Sequence, residues 1–168
     1  CESLTSITIP QGVMRIGYNA FKDCEKLVEV YNLAGFSVTP GLVDDFFLGQ
    51  YALVVHTSAD EPSNILTDEN GYVFYENGDT CRLLGYEGTD TVLSLPESFH
   101  GKQYTIHKYA FSGVTELRRV TIPSGVTRVG NYAFYRCSGL TSLTIPLGVT
   151  SIGEWAFSGC SGLASVTV

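Results

Sequence analysis

The side chains able to do chemistry are five cysteines, three histidines and a set of clustered carboxylates. Cys24 follows Cys1, and Cys160 follows Cys137, at the same 23-residue step. Val114 fills that position in another copy of the pattern. Valine cannot replace a metal ligand, but it can replace a small buried apolar group. No two cysteines have the CxxC spacing of a zinc knuckle. Side chains on adjacent rungs of a ladder point in parallel, which is poor disulfide geometry. The spacing therefore predicts reduced, buried thiols. Cys81 lies outside the pattern and is expected to be the most reactive.

The histidines are His56, His100 and His107. His56-Thr57-Ser58-Ala59-Asp60 brings the elements of a hydrolase triad close in sequence. A working triad is assembled in space around a positioned nucleophile, and the chain has no Gly-x-Ser-x-Gly elbow. His56 is read as a strand-end residue followed by a polar turn, and His107 as a solvated turn residue beside Ile106. Asp68-Glu69-Asn70-Gly71 has the look of a calcium-loop fragment, but the twelfth position holds Asp79 instead of the closing Glu. An acidic β-turn is expected there. The sequence thus assigns no catalytic residue, metal ligand or cofactor.

The elements that must position these residues come from an internal repeat. Cys1-Glu-Ser-Leu4-Thr-Ser-Ile7-Thr-Ile9-Pro10 returns as Cys137-Ser-Gly-Leu140-Thr-Ser-Leu143-Thr-Ile145-Pro146. Val114-Thr-Glu-Leu117-Arg-Arg-Val120-Thr-Ile122-Pro123 is a further copy. Each continues into Gly-Val-x-x-Ile/Val-Gly-x-x-Ala-Phe, ending at Phe21, Phe134 and Phe157. A fixed period of this size means a solenoid, in which each coil buries its apolar face on its neighbours. Leu-x-x-Ile-x-Ile alternates like a short strand, and the proline stops it. The expected core ladders are Leu4, Leu117, Leu140 and Leu163; Ile9, Ile122, Ile145 and Val168; and Phe21, Phe111, Phe134 and Phe157.

These units resemble the BspA (bacterial surface antigen) type of leucine-rich repeat. Leu140-Thr-Ser-Leu143-Thr-Ile145-Pro146, Gly148-Val149-Thr-Ser-Ile152-Gly153 and Ala156-Phe157-Ser-Gly-Cys160 carry the resemblance. It implies a mostly-β, right-handed leucine-rich-repeat solenoid, interrupted here by a β-rich insert. It also implies a surface-exposed or secreted adhesion protein of host-associated microbes, without catalytic activity. The repeats cover 1–33 and 93–168. The insert covers 34–92 and is expected to continue the stack within one solenoid domain. Similar segments, with a Val-Val-His-Thr strand and a Leu-Leu-Gly-Tyr strand before a Leu-Pro-Glu unit, separate repeat blocks in this family. A hairpin turning at Asn77-Gly78 is predicted inside the insert.

Composition bounds the function. The net charge of −7 argues against a nucleic-acid partner, which needs a basic stripe. Ten acids and the single base Arg82 lie between Tyr31 and Val92, so the insert is the acidic part. Weak calcium binding there is not predicted. No apolar run is long enough to span a bilayer, so membrane insertion is not expected. The sequence opens and closes inside a repeat. It reads as a piece of a longer repeat protein whose terminal coils are least stable.

Two surfaces are candidate binding sites. The open face of the strands should present Ser6, Thr8, Glu29, Tyr31, Arg119, Thr121, Ser142, Thr144, Ser165 and Thr167. The residues before each Ala-Phe are Asn19, Tyr109, Tyr132 and Trp155, so three aromatics should form a stripe. Tyr and Trp are favoured contact residues, although the same rings could simply cover the coil edge. The expected function is a non-enzymatic cell-surface or secreted module that binds protein, such as host extracellular-matrix or cell-surface protein. A glycan-binding module and a structural spacer are the alternatives.

Overall fold

The structure is a computed structural model that describes residues 3–167. Cys1 and Val168, placed in ladders above, lie outside the described residues. The chain is mostly β, with no helix among the described residues. It divides into two compact units, Cys1–Asn64 and Ile65–Val168.

The first unit holds a parallel three-stranded sheet of β1 (Ser6–Ile9), β2 (Glu29–Asn32) and β3 (Val54–His56). Ile7 pairs with Val30 at the 23-residue step. Val30 then pairs with Val55, a longer step. A further coil therefore hides in the segment where the sequence pattern fades. Its interior is filled by Ile9, Cys24, Leu27, Val30, Leu48 and Ala52, with Phe21, Phe36 and Phe46 packed against them. The irregular stretch between β2 and β3 is held by polar side chains. Asn32 donates from Nδ2 to the Phe36 carbonyl (2.6 Å), while its Oδ1 accepts from the Phe36 amide. The Asp44 carboxylate accepts from the amides of Phe46, Leu48 and Gly49. Such bonds satisfy backbone groups that no ladder reaches.

The second unit has two sheets. It begins with β4 (Ile65–Thr67), β5 (Tyr72–Asn77) and β6 (Thr80–Tyr86), an antiparallel meander. The hairpin is present, one residue further along than expected. Asn77 pairs with Thr80, so Gly78 and Asp79 form the turn, and Gly78 has φ 54°. Positive φ at the first central position is the geometry that glycine supplies most readily. β7 (Val92–Ser94), β9 (Arg119–Thr121), β11 (Ser142–Thr144) and β13 (Ser165–Thr167) form one parallel sheet. β8 (Tyr104–Ile106), β10 (Val126–Val129) and β12 (Ser151–Ile152) extend β6 into the other. The stretched unit after Pro96 spends its extra residues on a tight turn. Phe99 and Lys102 exchange backbone hydrogen bonds across His100 (φ 49°) and Gly101 (φ 76°).

The ladders between these sheets follow the period. Phe111 stacks on Phe134 at 4.9 Å, and Phe134 on Phe157 at 5.4 Å, with interplanar angles of 5° and 13°. Leu117, Val120, Ile122, Leu140 and Leu143 complete the core. Each coil that carries Ala-Phe also has two left-handed backbone positions. Asn19, Tyr109, Tyr132 and Trp155 have φ between 57° and 60°, and Asp23, Gly113, Arg136 and Gly159 share the second position. Nothing in the repeat pattern signals that aromatic residues would hold a conformation favouring Gly and Asn.

Candidate functional site

In the second unit, the outer rows of the β7–β9–β11–β13 sheet lie in register. One row is Val92, Arg119, Ser142 and Ser165; the other is Ser94, Thr121, Thr144 and Thr167. Their inward neighbours Leu93, Val120 and Leu143 are buried. Alternation therefore turns the hydroxyl and guanidinium side chains outward, as expected. Arg119, Thr121, Thr144, Ser165 and Thr167 are exposed, and Ser142 is half-buried.

The aromatic stripe is only partly a platform. Tyr109 and Tyr132 stack face to face at 5.1 Å, and Tyr135 meets Tyr132 edge-on at 5.5 Å. The Arg136 guanidinium sits 5.0 Å from the Tyr135 ring centre. These rings spend their faces on one another and are half-buried. Trp155 is 60% exposed.

In the first unit, the open-face expectation is corrected for Glu29. Ser6 and Tyr31 are half-buried and Thr8 is exposed, but Glu29 is only 1% exposed. The chain leaving β3 folds back and covers it. The Ser63 hydroxyl donates to Glu29 Oε2 (2.8 Å) and the Asn64 amide to Oε1 (2.7 Å). Ser6 also donates to Oε2, at 3.3 Å. His56, 3% exposed, lies between two carboxylates. Its Nε2 is 3.0 Å from Glu29 Oε1, and its Nδ1 is 3.1 Å from Glu61 Oε2. The Tyr31 ring stacks on the imidazole at 4.4 Å. Glu61 Oε1 accepts from the amides of Thr57 and Ser58, both at 2.9 Å. Burial opposes the charged imidazole, but hydrogen bonds and charge from Glu61 and Glu29 outweigh it, and the His56 pKa is raised. The His56 hydrogen bond, then the Thr57 and Ser58 amides, hold Glu61 down at about 2.

This cluster is a clamp and not a triad. The Ser63 hydroxyl donates a hydrogen bond to Glu29, and Ser58 Oγ accepts from the Asp60 amide. No hydroxyl is aimed at the imidazole by these bonds. The sequence placed His56 at a strand end correctly but had no signal for its partners. Glu29 reaches His56 as a diagonal neighbour across the β2–β3 pairing, and Glu61 reaches it because residues 57–64 return across the sheet.

His107 requires a second correction, because it is buried at 5% exposure and its Nε2 has no hydrogen-bond partner. Desolvation pushes its pKa down to about 3, helped by the charges of Lys108 and Arg82. It stands where the following coils have Gly130 and Gly153, and all three donate their amides to the strand before (Leu83, Ile106 and Val129). Cys81 is also buried, contrary to its expected reactivity, and burial raises its thiol to about 11. Asp68 behaves as the turn residue expected, its Oδ1 accepting from the amides of Asn70 and Tyr72. No cluster of histidine, cysteine and carboxylates suited to a metal ion occurs among the described residues.

A family model for the BspA type leucine rich repeat region matches in six copies, over residues 1–37 and 93–168. The chain belongs to this family. Two solved structures show the same relationship. One is a leucine rich cell surface protein from Faecalibacterium prausnitzii, 32% identical, with a TM-score of 0.51 over 65% of this chain and 33% of that one. The other is a leucine-rich repeat protein from Eubacterium ventriosum, 26% identical, with a TM-score of 0.54 over 98% of this chain and 36% of that one. The chain thus spans about a third of the length of these relatives. No curated protein sequence matches it.

Within this BspA-type chain the cysteines have a role that ordinary packing explains. Cys137 Sγ donates to the Phe111 carbonyl (3.0 Å), and Cys160 Sγ to the Phe134 carbonyl (3.1 Å). Each thiol satisfies a carbonyl of the preceding coil. Cys24 and Cys81 are free, buried thiols, Cys137 is buried, and Cys160 is a free, half-buried thiol.

Proposed function

We propose that this chain is a non-enzymatic binding module of a cell-surface or secreted repeat protein, and that its ligand is a protein. The observation that carries this reading is the registered outer face of the β7–β9–β11–β13 sheet. It offers Arg119 among short hydroxyl side chains over the buried Leu93, Val120 and Leu143. Short side chains lose little rotamer freedom on binding, and backing by a packed core keeps the surface preorganised. The cell-surface relative from Faecalibacterium prausnitzii supports the location. No helix among the described residues is long and apolar enough to cross a membrane.

The test is a binding screen of the purified chain against host extracellular-matrix and cell-surface proteins, repeated with Arg119→Glu and Thr144→Arg. Binding that both variants weaken at least tenfold supports the reading. Binding that neither alters moves the site elsewhere. Failure to bind any protein, with glycan binding abolished by Trp155→Ala, would establish a second reading. That alternative draws on the exposed Trp155 ring, which keeps more of its surface free than its stacked neighbours.

A further inference from the structure

In the first unit a buried histidine meets two carboxylates, one of them on a returning segment. Residues 57–64 leave β3, turn, and return over the outer side of β2. Among the contacts that hold them there are His56 Nδ1 to Glu61, the Tyr31 hydroxyl to the Glu61 carbonyl (3.2 Å), the Ser63 hydroxyl to Glu29, and the Asn64 amide to Glu29. The imidazole is the hinge pin. Each of its ring nitrogens faces a carboxylate oxygen at hydrogen-bond distance. A neutral imidazole has one N–H, so its other nitrogen would turn a lone pair toward an anionic oxygen. Only the imidazolium, with two N–H groups, satisfies both contacts.

We propose that residues 57–64 form a strap that a protonated His56 closes over the outer face of the β1–β3 sheet, and that opens when His56 loses its proton. The groups facing the ring are Ser6 from β1 through Glu29, Glu29 and Tyr31 from β2, and Glu61 and Ser63 from the strap. Asp60 is exposed on the strap turn, its amide held by Ser58. No lysine or arginine pairs with Glu29 or Glu61 among the described residues, so loss of the His56 proton leaves two carboxylates without a cation. Glu29 is then a buried charge with hydrogen-bond donors from Ser6, Ser63 and Asn64 but no counter-charge, which is costly. Opening relieves this by admitting water, and it uncovers Glu29 and Tyr31, which the strap contacts.

The direction of the pH effect follows. The folded pKa of His56 lies above its ordinary value of about 6.5. Closure is therefore fully favoured below about 6.5 and is lost as pH rises through the folded value. Nitrogen-15 NMR of the ring, with amide hydrogen exchange across the same pH series, tests this. Both ring nitrogens should carry protons at pH ~6, and His56 should titrate above ~6.5. The amides of Thr57, Ser58 and Asn64, bonded to Glu61 and Glu29, should then gain at least ~10-fold exchange beyond the intrinsic pH dependence. In Glu61→Gln, which keeps an acceptor for Thr57 and Ser58 but removes a charge, the midpoint should move to lower pH. A single protonated ring nitrogen at pH ~6 would overturn the proposal. So would strap amides that follow only the intrinsic dependence, or a midpoint unmoved in Glu61→Gln.

Discussion

The two units solve one problem by different means. In the second, coils from Phe111 onward repeat at 23 residues, so equivalent rings, thiols and amides stack on one another. In the first, the step from β2 to β3 is longer, and ladder contacts give way to single polar side chains: Asn32, Asp44, Glu29 and Glu61. Periodicity distributes stability over many weak contacts. Its loss concentrates stability in a few strong ones, each with a charge or an amide geometry to respect. The outer rows differ accordingly. In the second unit they are largely bare, whereas in the first they are partly covered by the returning chain.

The sharpest way to break this comparison is to attack a ladder. Phe134 is fully buried between two stacked rings. Phe134→Ala should cost about 3–5 kcal/mol by denaturant titration, and Tyr132→Ala clearly less. Equal losses would show that the stripe, not the core, holds the coil. Next comes the backbone. A Cβ at Gly130 would lie 2.7 Å from the Lys108 amide nitrogen, whereas one at Gly12 meets nothing within 4 Å. Gly130→Ala should destabilise by about 1–3 kcal/mol, and Gly12→Ala should change stability by no more than about 1 kcal/mol.

Acid separates the units through their histidines. His107 in the second unit is held neutral by burial, with its pKa down at about 3. Its folded pKa is depressed, so its contribution is present above the unfolded value of about 6.5 and declines as pH falls toward about 3, at up to ~1.4 kcal/mol per pH unit. His107→Leu should flatten the acid limb of the stability profile, measured on β8–β12 amides. An unchanged limb would mean that His107 gains its proton without cost. The smallest effect is expected at the thiols. Cys160→Ala removes one weak S–H···O contact at a half-buried site and should cost about 1 kcal/mol or less.

The sequence made the second unit legible because its information is periodic: Leu140, Leu143, Ile145 and Phe157 declare their faces by recurrence. Glu29 illustrates why the first was harder. It sits at an outward position by strand alternation, and the period says it is exposed. Its burial comes from residues 57–64, whose path no repeat encodes. His107 was misread for the opposite reason. It occupies a glycine position of the repeat, and a turn position alone does not reveal that its side chain is buried. The coil ending at β3 was hidden because Val54-Val55-His56 arrives out of phase. The candidate binding rows of the second unit were visible, since alternation and period agree there.

The paired left-handed positions of each coil have a genetic consequence. They flank Ala-Phe at the same two places in every coil that carries the motif, from Asn19 and Asp23 to Trp155 and Gly159. β-Branched residues tolerate such a backbone poorly, and none occupies these sites. A whole coil, copied or deleted by unequal recombination, brings both positions with it in phase. Its flanking coils then find the same partners, as Phe134 finds the Ala156 carbonyl. Recombination that cut a fractional coil would put these backbone turns out of step with their neighbours. Lineages can therefore lengthen or shorten the regular part of this molecule cheaply, provided that they trade in complete repeats.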